Sequence, residues 1–347
     1  MKTLTFSPLM KVLAWWLMAL CAAALAQEPT DIAPSLGRIK ASLEGVQKFY
    51  KELRHDSAMH LANPTHAEML AVGKAGARIV VVGDHGTVLL SDDDGKTWRQ
   101  AREVPTRVVL TSVSFVDDKQ GWAVGHWGVV LHTEDGGETW KLQRSDTGVD
   151  QPLFSVYFID RTQGVAVGLW SLALRTADGG ASWTPVKMPA PRAGADTTGP
   201  NLYQIFAGSG STLYIAAENG QVFRSDDGGR TWNVRLTGNA GSLWTGLGLK
   251  DGSLLVAGLN GKILRSSDGG KTWTERESGV TASITDLAQG LDGSVVGVGL
   301  EGALVHSKDG VNFTASPRAD RAPLTAVLVT AKGSPLLFSK DGVVEAN

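Results

Sequence analysis

One octapeptide with the form S-x-D-x-G-x-T-W recurs through this chain at a spacing that few folds accommodate. It reads SDDDGKTW at 91–98, TEDGGETW at 133–140, TADGGASW at 176–183, SDDGGRTW at 225–232 and SSDGGKTW at 266–273, with a worn copy, SKDGVNF, at 307–313. Its aspartates stand at 93, 135, 178, 227, 268 and 309, so the intervals are 42, 43, 49, 41 and 41 residues. A period of about 40–50 residues is that of a stacked supersecondary unit. The fourth unit alone carries an insertion.

A second signal keeps phase ten residues ahead of each aspartate: GDHG at 83–86, GHWG at 125–128, GLWS at 168–171, AENG at 217–220, GLNG at 258–261 and GLEG at 299–302. SKDG at 339–342 continues the series, so a seventh unit is expected, cut short at its box. Within the second unit, runs at 111–116, 122–125, 129–133 and 140–143 are short, apolar or alternating, and punctuated by Gly and Asp. That is the form of antiparallel strands joined by tight turns. Four strands per unit, A to D, repeated radially, make the blades of a propeller. The expected fold is all-β: a seven-bladed β-propeller of four-stranded antiparallel blades over 67–347.

The box itself reads as the C–D turn. Asp93, Asp135, Asp178, Asp227, Asp268 and Asp309 can accept bonds from their own turn backbones, and the glycines tolerate positive φ. Trp98, Trp140, Trp183, Trp232 and Trp273 then enter strand D, where a large flat ring fills the wedge between blades. Carboxylates spaced by whole blades cannot converge on one ion, so the box is structural, without a metal or catalytic role.

Residues 1–26 read as a secretory signal: Lys2 and Lys11, an apolar stretch at 12–25, then Ala24-Leu25-Ala26 before Gln27. Export across the inner membrane to a periplasmic or lumen-like compartment is expected. The only cysteine, Cys21, lies in that signal, so no disulfide framework or thiolate metal site is available. The formal charge of −2 becomes −4 without Lys2 and Lys11, which disfavours nucleic acid as a partner. The extension at 27–66 holds a helical stripe at 35–54, formed by Leu36, Ile39, Leu43, Val46, Tyr50 and Leu53. It also holds, within 55–66, a candidate strand to complete the seventh blade and close a monomeric ring.

Phrases such as GWAVGHWGVVLHTEDGGETW, together with the two phased motifs, resemble the photosystem II assembly and stability factors, secreted seven-bladed propellers. The resemblance covers about 67–347. It implies a non-enzymatic factor without a cofactor, binding newly made reaction-centre polypeptide through an arginine-rich face. No motif places that face on this chain, and the resemblance implies a domain type more firmly than a pathway.

The residues themselves point to the face opposite the boxes, where the B–C turns differ from blade to blade. These turns carry Asp84 and His85, His126 and Trp127, Leu169 and Trp170, Glu218 and Asn219, Asn260, and Glu301. Variation on a regular scaffold is what a binding face looks like. The D–A connections add Arg102, Arg107, Arg144, Arg192, Arg318 and Arg321, which would offer a basic and aromatic surface to a protein partner, in a membrane or membrane complex. The insertion at 189–200 falls on the same face as a candidate lid.

Two other classes compete. An accessory subunit of an envelope export or transport complex would use the same face. An Asp-box glycosidase of the sialidase kind would need paired carboxylates, or a Tyr nucleophile with an arginine cluster. Only Tyr50, Tyr157, Tyr203 and Tyr214 are present, and Asp286 is the one carboxylate expected to point into the channel. The seven histidines show no metal-ligand spacing.

Overall fold

The computed structural model describes residues 56–146, 148–189 and 199–344. The expected signal, the helix at 35–54 and Arg192 lie outside these residues, as does most of the insertion. The described chain forms seven antiparallel sheets, six of four strands and one of three. Their innermost strands, here strands A, are Met69–Ala75, Leu110–Phe115, Leu153–Phe158, Leu202–Ala207, Leu243–Gly248, Ile284–Gln289 and Leu324–Val329. Each begins with a fully buried apolar residue: Met69, Leu110, Leu153, Leu202, Leu243, Ile284 and Leu324. Strands B are buried along nearly their whole length, as expected for a strand covered on both faces by neighbouring blades.

Every gap between consecutive blades holds its own apolar cluster. In six gaps the box aromatic reaches back toward the preceding blade. Trp140 joins Val80 and Leu90 of blade one. Trp183 meets Phe158 edge-on at 5.9 Å, and Phe158 stacks on Trp122 of blade two at 3.5 Å. Trp232, Trp273 and Phe313 repeat the arrangement in the next three gaps. Trp98 meets Phe338 of blade seven edge-on at 5.8 Å, across the junction that closes the ring.

The box turns hold themselves. The Ser91 hydroxyl donates to Asp93 Oδ1 at 2.9 Å and accepts from Gly95 N, while Thr97 donates from both its N–H and its hydroxyl to Asp93. The same pattern recurs at Asp135, Asp178, Asp227 and Asp268. At Asp309, Asn312 takes the part of the threonine. Bonds from Thr97 and Ser182 respectively hold Asp93 and Asp178 down at about 2. The box glycine carbonyls also stitch blades together: Arg78 donates to Gly136 O, Trp122 to Gly179 O, Arg175 to Gly228 O and Arg224 to Gly269 O.

The seventh blade departs from expectation in one respect. Among the described residues it has three strands, and 56–66 adds none to it. That segment is bonded to blade one instead: Ala58 N–H to Val104 O, Leu61 N–H to Gln100 Oε1, and Arg107 Nε to Ser57 O. Only its short turn at Pro64–His66 lies against blade seven, where a Cβ on Gly342 would meet Thr65 O at 1.8 Å. The ring closes by side-chain packing and by the Thr325 hydroxyl, which donates to Met69 O.

Candidate functional site

The B–C turns gather at the ends of strands B, each as a single tight helical turn. The second turn residue is left-handed in six blades: His85 (φ 52), Trp127 (57), Trp170 (54), Asn219 (59), Asn260 (58) and Glu301 (56). Asparagine tolerates this conformation, whereas tryptophan does not favour it. Strained backbone of this kind clusters at working surfaces. The two tryptophans nevertheless behave differently. Trp127 packs against the core between blades one and two, whereas Trp170 stands 47% exposed.

The polar side chains on this face are largely engaged with one another. Asp84 pairs with the His85 ring at 2.7 Å, Asp150 with His126 at 3.1 Å, and Glu218 accepts from Asn201 N–H. Leu169 is half-buried and its carbonyl accepts from Gln151. The arginines are paired too: Arg107 with Asp56, Arg144 with Asp146, Arg318 with Asp320 and Arg321 with Glu301. Arg102 N–H donates to Glu138 O in the box of blade two, while the preceding Ala101 N–H donates to Val88 O beside the first B–C turn. The face is therefore less basic than its arginine count suggests.

A second set of arginines lies in the grooves between blades three to six, on the outer wall. The residue before each box is basic in five blades: His132, Arg175, Arg224, Arg265 and His306. Burial lowers the His132 pKa, and its ring stacks on Trp122 at 4.8 Å. Arg224 pairs with Asp226 and Arg265 with Asp251, both at 2.7 Å. Strands D add Arg235 and Arg276, three residues past Trp232 and Trp273. Among the described residues, Arg175, Arg235 and Arg276 have no carboxylate partner. The Nε–H groups of Arg235, Arg265 and Arg276 are enclosed without a protein acceptor. The sequence did offer a signal for them. The position three past the box aromatic runs Ala101, Gln143, Val186, Arg235, Arg276 and Ser316, so two successive blades depart together.

Asp286 does line the channel, but as a single acid. Its carboxyl accepts from Leu287 N–H and Val327 N–H, each at 2.9 Å. Among the described residues no three His, Cys, Asp or Glu are grouped to hold a metal.

A family model described as photosynthesis system II assembly factor YCF48 matches residues 100–257. The chain is a seven-bladed propeller that over this stretch is similar to the photosystem II assembly factors. A solved structure of YCF48 bound to a D1 peptide is 21% identical with a TM-score of 0.64, covering 83% of this chain and 94% of that one. YCF48 from Cyanidioschyzon merolae is 16% identical, TM-score 0.64, over 83% and 97% of the two chains. The WD40 propeller domain of Doa1 is 14% identical, TM-score 0.63, over 84% and 95%. These likenesses show the fold. The curated proteins gave no match.

Proposed function

We propose that this propeller is a non-catalytic binding factor that holds a polypeptide partner against its outer wall, in the grooves between blades three and six. The observation that carries the reading is the group Arg175, Arg235 and Arg276, cations without a carboxylate partner among the described residues. A guanidinium presents a planar fork suited to carboxylates. The partner is accordingly an extended segment rich in carboxylates, or one ending in its own. The family match supports an assembly role, and the peptide bound to the solved relative supports a peptide as the form of the partner. The apolar stretch at 12–25 supports delivery to a periplasmic or lumen-like compartment, where the partner would belong to a membrane complex.

The test is fluorescence anisotropy with a labelled acidic peptide carrying a free C-terminus. The double variant Arg235→Glu, Arg276→Glu is expected to bind at least about tenfold more weakly, since each lost charged bond is worth roughly 1.5–3 kcal/mol. Arg321→Glu, on the turn face, is expected to bind as the parent does. Equal affinity for the parent and the double variant would sink the reading.

A further inference from the structure

Every inner strand breaks its ladder at the same place. In all seven blades the pairing of strand A with strand B slips past the second residue of strand A, bulging out Leu70, Thr111, Phe154, Tyr203, Trp244, Thr285 and Thr325. A bulge re-aims its side chain. All seven line one cavity of ≈ 340 Å³ in the channel, to which every blade contributes.

Three of these residues tie blades together. Thr111 donates to Leu153 O at 2.6 Å, Thr285 to Leu324 O at 2.9 Å, and Thr325 to Met69 O, each reaching the first inner-strand residue of the next blade. Blades three, four and five carry no threonine here. Phe154, Tyr203 and Trp244 form an unbroken arc instead, half-buried, with Phe154 and Tyr203 parallel to within 19° at 5.9 Å.

The next residue inward shows a second departure. Ser112, Ser155 and Gln204 accept the N–H of Val156, Ile205 and Gly246 in the following blade, at 3.2, 3.2 and 2.6 Å. Blade six fills the same role with Asp286, which accepts Val327 N–H. Neutral acceptors serve this purpose in three blades, so the frame needs no charge at 286. Burial pushes this carboxyl up to about 7, so the charge opposes the fold. The cavity contains no Lys, Arg or His; its other titratable groups are the phenols of Tyr157 and Tyr203, both raised by burial.

We propose that this cavity binds an organic cation, a compact ammonium group held over Phe154, Tyr203 and Trp244 with Asp286 as counter-ion. Aromatic faces attract cations through the ring quadrupole, and a nearby carboxylate adds net attraction in a site without positive charge. The cation arrives either as a free small molecule or as the tip of a polypeptide side chain. The site is independent of the arginine wall, on different residues and of opposite charge preference.

Calorimetric titration of the full chain tests it with three probes: choline, a short peptide bearing one trimethyl-lysine, and 3,3-dimethylbutanol, the uncharged isostere of choline. Choline or the peptide is expected to bind, and about tenfold more tightly at pH 8 than at pH 6, because a proton competes for Asp286. Trp244→Ala should weaken binding at least about tenfold and Trp244→Phe should restore most of it. Asp286→Asn should weaken binding and remove its pH dependence, in a protein whose thermal melt confirms folding. Binding of choline alone assigns a free ligand, and binding of the peptide alone assigns a side chain. Two results overturn the proposal: no heat with either cation, or dimethylbutanol binding as tightly as choline.

Discussion

Two rings of side chains run around this propeller. Between the blades, toward the outer wall, stand Trp98, Trp140, Trp183, Trp232, Trp273 and Phe313, nearly uniform and each sealing a gap. Around the channel stand the bulged residues, threonine in three blades, aromatic in three and leucine in one. Both rings occupy equivalent positions in every repeat, so geometry does not account for their difference. What separates them is demand: the outer position has one task, the inner has a structural solution that some blades decline. Repetition marks the frame, and departure from an available structural solution marks residues free to do something else.

The comparison breaks first if the outer ring is not frame. Trp140 is 4% exposed, and its indole N–H donates to Gly137 O at 3.0 Å. Trp140→Ala removes that filling from the gap between blades one and two and should cost about 3–5 kcal/mol in a urea titration. A loss below about 1 kcal/mol would show the gap able to collapse, and the ring would lose its claim to be structural.

The inner ring's neighbour Asp286 gives the next largest effect, with the opposite sign. A carboxyl held at about 7 in the fold and near its ordinary value of 3.8 when unfolded keeps its proton longer in the native state. Stability is then fullest below the unfolded pKa, falls as pH rises from about 4 to about 7, and is level above. Asp286→Asn keeps an acceptor for Val327 N–H and removes the ionisation. It should be more stable than the parent by on the order of 2–4 kcal/mol at pH 8, and nearly equal to it at pH 4. A variant less stable at pH 8 would mean that the ionised carboxylate is part of the frame.

How much of this was legible in the chain follows from the range of the forces involved. The box is a local structure, its aspartate bonded within four residues, so spacing alone located seven blades and the wedge tryptophans. Arg235 and Arg276 escaped notice because their significance lies in the groove beside the next blade, a contact of the assembled ring. The bulges could not be read at all. Alternation predicts which face a residue takes, whereas a bulge adds a residue that alternation does not count. Once the units are aligned on Met69, Leu110, Leu153, Leu202, Leu243, Ile284 and Leu324, the departure at the following position is plain.

The smallest effect probes the inner ring's structural members. Thr111 Oγ1 lies 3.1 Å from Val124 O and 2.6 Å from Leu153 O, bridging its own blade to the next. Thr111→Val keeps the β-branched shape and deletes the donor, so stability should fall by about 1 kcal/mol. Phe154 occupies the same bulge one blade on and makes no such bond. Phe154→Thr restores the residue type found in blades two, six and seven, and should weaken choline binding while Thr111→Val leaves it unchanged. If Thr111→Val loses no stability and weakens choline binding as much as Phe154→Thr does, the division of the inner ring into staples and an aromatic arc fails, and all seven bulged residues must be treated as one site.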